Sequence, residues 1–241
     1  MKTMTIFLDD QQVSFKEGQT IIEAARDAGI YIPHLCYHPE FEPHGSCKVC
    51  AVKVNGQCSS ACTTLASDGQ VIENNTEELN SSRRAITQLL FAEGNHLCPS
   101  CEKSGDCELQ ALGYHLKLFG SHFPHLFPHR EVDASHPEIL LDRDRCIFCE
   151  LCVRASRDVD KKNIFAISAR GIDSELVVNS PSGKLKDSGI DVDDRAAHVC
   201  PVGAILIKRQ AFEVPIGQRH YDKHRIDDVD FIKVENDKEN T

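Results

Sequence analysis

The chain has 241 residues and a formal charge of −10, from 37 acidic against 27 basic side chains. That balance argues against nucleic acid as a partner, which needs a basic footprint. No basic amphipathic stretch marks a membrane surface, and no apolar run reaches the length of a span. Hydrophobic residues make up 41% and there is no Trp, which suits several small cores better than one large one. Twelve cysteines are many for this length. They fall in tight C-x2-C groups, too close to close loops as disulfides, and residues 1–10 lack the apolar segment of a secretory signal. The expectation is a cytoplasmic protein, with no membrane insertion, whose thiols bind metal.

In chain order, residues 3–9 alternate as a strand, Asp9-Asp10 turns, and 13–15 return. Thr20 then caps a helix, I-I-E-A-A-R-D-A, which Gly29 stops. Past Pro33 and Pro39, strands at 50–54 and 57–62 are joined by Asn55-Gly56, a strong two-residue hairpin signal. This order of strands and helix fits a β-grasp. Cys36, Cys47, Cys50 and Cys62 read C-x10-C-x2-C-x11-C and resemble the plant-type ferredoxin pattern, C-x4-C-x2-C with a distant fourth Cys. The central pair matches and the first gap is longer. Gly45 lets backbone N–H groups approach the sulfurs. Cys58 competes with Cys62 as the fourth ligand. Cys62, at the end of the return strand, is preferred, and Cys58 reads as a small buried hydrophobe. His34, His38 and His44 read as polar loop residues.

Asn75 is expected to open the next helix, with Glu78 completing a capping box. Leu79, Ile86, Leu89 and Leu90 form its apolar stripe and Gly94 ends it. N-H-L-C-P-S-C-E-K-S-G-D-C follows. Cys98, Cys101 and Cys107 supply three thiolates, one short of a four-iron cube. His96 is the nearest candidate for the fourth place, since imidazole is a common iron ligand; the alternative is a hydrogen-bond donor behind the ligands. Residues 119–137 repeat F-P-H and read as a linker, because Pro128 between His125 and His129 argues against a shared helix face.

The run D-R-D-R-C-I-F-C-E-L-C then sets Cys146, Cys149 and Cys152 at C-x2-C-x2-C, with Cys200-Pro201 far downstream. It resembles the bacterial ferredoxin run with its last member displaced. Ser156-Arg157 stands where Cys-Pro would follow. Ile190, Asp193 and Ala196 stand where a second run would carry its first three thiols. Both halves of a second site are missing together, which leaves four thiolates for one 4Fe–4S cluster. Structural zinc, the alternative, prefers paired C-x2-C hooks. Arg143 and Arg145 offset cluster charge or face solvent. Residues 180–189 read as an insertion, and 209–241 as a polar tail that frays unless a partner orders it.

Taken together, the three sites resemble the N-terminal iron–sulfur region of the large electron-carrying subunit of respiratory complex I. In the short form of the chain, in E-G-N-H-L-C-P-S-C-E-K-S-G and in V-P-I-G-Q-R-x-Y-D, the sequence is similar to the small diaphorase subunits of cytoplasmic NAD-reducing nickel–iron hydrogenases. Complex I relatives place their His at H-x3-C, whereas His96 stands at H-x-C. The resemblance implies an α+β chain. It has a β-grasp 2Fe–2S ferredoxin domain at 1–78, a helical 4Fe–4S domain at 79–118, a linker at 119–137, a bacterial-ferredoxin-like 4Fe–4S domain at 138–208, and the tail at 209–241. It also implies three ligand sets. Cys36, Cys47, Cys50 and Cys62 would hold one 2Fe–2S cluster. His96, Cys98, Cys101 and Cys107 would hold one 4Fe–4S cluster, and Cys146, Cys149, Cys152 and Cys200 the other. FMN and NAD are expected on a flavin-binding diaphorase partner, with hydrogenase small and large subunits as further partners. The chain itself shows no G-x-G-x-x-G after a strand, no P-loop and no nucleophile with a paired base. The expected role is therefore electron transfer within an oxidoreductase. A component of an NAD-dependent formate dehydrogenase or a complex I-like enzyme is the alternative, and a redox sensor or metal-stapled module the rival from another class.

Overall fold

Alternation of apolar and polar residues builds the first sheet. In the computed structural model, which describes residues 4–127 and 129–228, strand β1 (Met4–Leu8) pairs antiparallel with β2 (Gln11–Phe15), with Ile6 opposite Val13. Asp9 and Asp10 make the turn with φ of 46° and 66°, and Ile6, Leu8, Val13 and Phe15 point inward. Helix α1 (Ile21–Asp27) covers that face with Ile21, Ile22, Ala24 and Ala25. Its capping box is the expected one: the Glu23 carboxylate accepts from Thr20 N at 2.7 Å while the Thr20 hydroxyl accepts from Glu23 N.

Strands β3 (Ala51–Val54) and β4 (Gln57–Ser60) form the expected hairpin, with positive φ at both Asn55 and Gly56. It ends two residues earlier than expected, because Ala61 turns away and its carbonyl accepts Ile22 N from α1 at 3.1 Å. Strand β5 (Val71–Glu73) runs parallel to β1 and antiparallel to β3, giving the order β2-β1-β5-β3-β4.

Helix α2 (Glu77–Glu93) differs from expectation at its cap and on its buried face. Thr76, not Asn75, is the cap: its hydroxyl accepts Leu79 N at 3.3 Å, and the Asn75 side chain instead accepts from Asn80 Nδ2. Leu79 is buried, but Leu89 is half exposed, and the rest of the buried face is Arg83, Thr87, Gln88 and Ala92. Ile86 and Leu90 only partly pack. This helix packs on loop carbonyls as much as on apolar surface, so its inward residues include hydrogen-bond donors.

Helix α3 (Glu108–His115) follows, then strands β6 (Val132–Asp133) and β7 (Ile139–Asp142). Helix α4 (Leu151–Arg154) continues as a wider turn over Ala155–Val159. A hairpin of β8 (Phe165–Ser168) and β9 (Glu175–Val178), helix α5 (Arg195–His198), strand β10 (Ile205–Ile207) and helix α6 (His220–Lys223) complete the chain. Strands order as β10-β7-β6 in one sheet and β8-β9 in another.

The missing second ferredoxin site is filled by packing. Ser156 is fully buried and its hydroxyl accepts Ile164 N at 2.7 Å. Ile190 and Ala196 are buried, and the Asp160 carboxylate accepts Arg195 N and Ala196 N at 2.8 and 3.0 Å, capping α5. The stretch after 209 is tied down where it is described: Tyr221 N donates to Gly105 O at 2.8 Å and Ile226 is buried. Residues 229–241 of the anticipated tail lie outside the described residues.

The result is an α+β chain with two cores. One lies between α1 and the five-stranded sheet. The other runs from Leu35, Cys36, Phe41 and Val49 through α3 to β10, so the first cysteine loop is packed into the rest of the chain. No helix among the described residues is long and apolar enough to cross a membrane.

Candidate metal centres

The first centre sits where the loop after α1 meets the β3–β4 hairpin. Lys48 adopts φ 59° between Cys47 and Cys50, and Gly45 adopts φ 66°. A Cβ at Gly45 would lie 3.2 Å from Thr63 Cγ2, so the loop depends on the missing side chain. The four thiols come in two pairs. Cys50 and Cys62 sulfurs are 3.3 Å apart, near the about 3.8 Å that two thiolates keep on one tetrahedral metal. Cys36 pairs with Cys47, whose thiol hydrogen bond brings Cys36 down to about 4 while Cys47 is pushed up. The same hydrogen bonding lowers Cys62 and raises Cys50. Two such pairs side by side suit two irons. Cys58 stays outside, exposed on β4, and so is not the buried hydrophobe expected. Replacing Cys58 with Ser is expected to leave iron content and the 2Fe–2S spectrum at parent levels by metal analysis and EPR. His34, His38 and His44 engage Ile32 O, Arg195 and Ser46 respectively, as polar loop residues do.

The second centre lies between α2 and α3. Cys98 opens a short turn and Cys107 precedes α3. Burial raises Cys98 and pushes Cys107 up to about 12. The His96 Nε2 is buried with no hydrogen-bond partner. Burial, with Arg145 and His125 nearby, holds His96 down at about 4. A neutral imidazole with an orphaned, dry nitrogen is the state a metal ligand needs. Its ring stands edge-on to Phe91 at 5.6 Å between centroids. A Cβ at Gly94 would lie 2.4 Å from Nε2, so the ring fits only against glycine.

The third centre is a cavity lined by Cys146, Cys149, Cys152 and Cys200 among Ile147, Phe148, Leu176 and Ile205. Phe148 and Glu150 take φ of 53° and 57°, winding the loop so that Phe148 N donates to Cys146 Sγ at 3.4 Å. Backbone N–H groups of Val202, Ala204 and Ile205 act on Cys200 in the same sense. Burial outweighs them, pushing Cys146 up to about 12 and raising Cys149, Cys152 and Cys200. Thiols this dry resist ionising alone, so metal has to supply the compensating charge.

The third centre adjoins both others. Towards the first, Arg154 donates to Glu42 O at 3.0 Å, to Cys36 O and to Cys149 O. Arg195 adds an ion pair with Glu40 at 2.8 Å. Towards the second, Arg145 Nη1 lies 3.7 Å from Cys101 Sγ and 3.5 Å from Gly203 O, with its charge met by Asp142 and Glu102. A Cβ at Gly203 would come within 2.9 Å of Cys101 Sγ. Arg143 does not face solvent: it is buried, donating to Leu176 O and Glu131 O.

The donor sets fit iron–sulfur clusters better than single ions. Among the described residues, no three His, Cys, Asp or Glu side chains gather as the ligands of one metal ion. Backbone N–H groups stand against the sulfurs of Cys146 and Cys200, as they do around iron–sulfur clusters. Sequence reasoning missed Arg83, Arg154 and Gly203. Only Gly203, three residues past Cys200, carried a signal, as a residue without a side chain beside a candidate ligand.

Comparison with known proteins agrees along the chain. The 2Fe-2S iron-sulfur cluster binding domain family matches residues 1–77. The NADH-ubiquinone oxidoreductase-G iron-sulfur binding region matches 83–122, and the 4Fe-4S single cluster domain 139–207. The gamma subunit of the NAD-reducing hydrogenase HoxS of Cupriavidus necator is 44% identical over 227 residues, covering 91% of this chain and 94% of that protein. The mitochondrial NADH-ubiquinone oxidoreductase 78 kDa subunit of Candida albicans is 28% identical over 94% of this chain, which spans only 31% of that longer protein. A crystal structure of NAD+-reducing [NiFe]-hydrogenase in the H2-reduced state contains a chain that superposes with a TM-score of 0.91 at 47% identity, covering 94% of this chain and 96% of that one.

Proposed function

We propose, from the premise that this chain belongs to the family of gamma subunits of NAD-reducing hydrogenases, that it is the iron–sulfur relay of such an enzyme. It is an oxidoreductase subunit with one 2Fe–2S and two 4Fe–4S clusters. It connects a flavin- and NAD-binding diaphorase subunit with the hydrogenase small and large subunits. We place it in the cytoplasm, and take 1–78, 79–118 and 138–208 as the three cluster-bearing domains, with 119–137 as linker and 209–241 as tail.

The observation that carries this reading is the arrangement of the centres as one connected series. Bound clusters would supply one-electron carriers; everything else falls to the chain's residues. Cys36, Cys47, Cys50 and Cys62 would hold the 2Fe–2S cluster. Cys146, Cys149, Cys152 and Cys200 would hold the middle 4Fe–4S cluster, and His96, Cys98, Cys101 and Cys107 the last. Arg154 fixes the first loop against the third, and Arg145 with Gly203 fixes the second against the third. Leu176, Ile147 and Ile205 keep water from the middle site. The spatial order thus differs from the chain order: the C-terminal set stands in the middle. A relay needs fixed short separations, and buried arginine bridges to backbone carbonyls supply that rigidity.

The test is purification of the native complex through a tag on this chain, with metal analysis and an assay of hydrogen-driven NAD+ reduction. Nickel, flavin and that activity should travel together. Molybdenum with formate-driven activity would replace the hydrogenase reading with formate dehydrogenase, and no partner at all would favour a sensor or stapled module.

A further inference from the structure

Most arginines near the centres have their charge met by a carboxylate. Arg145 has Asp142 and Glu102, Arg143 has Glu175, and Arg195 has Glu40. Two do not. Arg83 is 2% exposed and spends its donors on Val49 O, Ala51 O, Asn74 O and the side-chain oxygens of Asn74 and Asn80. Arg154 is 3% exposed and spends its donors on the carbonyls of Cys36, Glu42, Cys149 and Glu150. Among the described residues, no carboxylate stands within ion-pair distance of either. The Asp9 carboxylate near Arg83 is occupied by Asn74 N and Asn75 N, and the exposed Asp158 near Arg154 is held by Arg157.

A buried guanidinium without a counter-charge costs several kcal/mol in real proteins. Fully bonded geometry satisfies its N–H groups but supplies no anion: Arg154 has only the face of the Phe41 ring, 5.8 Å away, against its charge. The position of the two residues points to what completes them. Val49 and Ala51, whose carbonyls Arg83 holds, flank Cys50. Cys36 and Cys149, whose carbonyls Arg154 holds, belong to the first and third centres.

We infer that Arg83 and Arg154 are buried counter-cations built for the anionic clusters, Arg83 serving the 2Fe–2S centre and Arg154 shared by the 2Fe–2S centre and the middle 4Fe–4S centre. This rests on the relay reading above. One-electron reduction adds one negative charge to a cluster and breaks no bond. A fixed buried cation therefore favours the reduced form and raises the reduction potential. Sharing Arg154 shifts two neighbouring carriers in the same direction, so it raises both potentials together.

The test is EPR-monitored redox titration of the full chain carrying its clusters, with iron measured on the same samples. Arg83→Met should lower the 2Fe–2S potential alone. Arg154→Met should lower the 2Fe–2S and middle 4Fe–4S potentials together, leaving the centre near His96 unmoved. Each drop should correspond to about a tenfold fall in the reduced-to-oxidised ratio at fixed potential, about 59 mV for one electron. Arg83→Lys and Arg154→Lys keep the charge with fewer hydrogen bonds, and their potentials should stay near the parent's. Unmoved potentials in fully loaded Met variants, or Lys variants that fall as far as Met, would overturn the inference. Should a Met variant fail to hold iron, its Lys counterpart decides: a parental potential supports the charge role and a fallen one refutes it. A parent chain lacking both cluster types would instead refute the relay reading itself.

Discussion

Replacing Cys200 with serine is expected to cut the relay at its middle. The variant should retain about six of about ten irons, keeping the 2Fe–2S and His96-side signals and losing one 4Fe–4S signal. Hydrogen-driven NAD+ reduction should fall by at least about 100-fold, since changing groups behind a ligand already costs about 10–100-fold in metal sites. The reason is positional. Cys200 shares its cavity with Cys146, Cys149 and Cys152, and this centre adjoins the first through Arg154 and the second through Arg145 and Gly203. Electrons bypassing it would have to cross the protein without a carrier. Iron near ten with activity intact would mean that Cys200 is not a ligand.

A single methyl group should have nearly as large an effect at the second centre. Gly94 ends α2 with φ −103° and ψ 159°, a conformation any residue adopts, so Gly94→Ala carries no backbone strain. The methyl would nevertheless lie 2.4 Å from His96 Nε2, 2.7 Å from its Cδ2 and 3.0 Å from Asp144 O. The imidazole must move, at a packing cost of about 1–3 kcal/mol. If His96 is the fourth ligand, that movement removes it, and iron should drop to about six with the other two signals retained. Gly120→Ala, where a Cβ meets nothing within 4 Å, should leave iron and signals unchanged. A fully loaded Gly94→Ala variant with a parental spectrum would exclude His96 from the ligand set.

The parts of this chain that were legible in its sequence are those in which local chemistry decides. Thr20 and Glu23 cap α1 as their spacing indicates, and Asn55-Gly56 turns the hairpin because both positions need positive φ. The spacing of Cys146, Cys149 and Cys152 and the distant Cys200 is a local feature of the chain, and all four line one cavity. The cap of α2 was missed by one residue, since Asn75 and Thr76 are both competent caps and only Asn80, donating to the Asn75 side-chain Oδ1, decides between them. Its buried face was misread because Arg83 looks like a solvated residue until the loop carbonyls of Val49 and Ala51 are seen against it. Arg154 is hidden for the same reason: its partners, Cys36 and Glu42, lie more than a hundred residues away in the chain. The order of the centres was not legible at all, because it follows from the shared core that brings residues 35–49 against α4 and the Cys200 turn.

The measurement closest to the central claim is anaerobic iron and sulfide analysis of the full chain, joined to EPR of the dithionite-reduced protein. One 2Fe–2S and two 4Fe–4S clusters predict about ten irons with signals of both types. Zinc in place of iron, or the signal of a single cluster, would contradict a three-cluster relay.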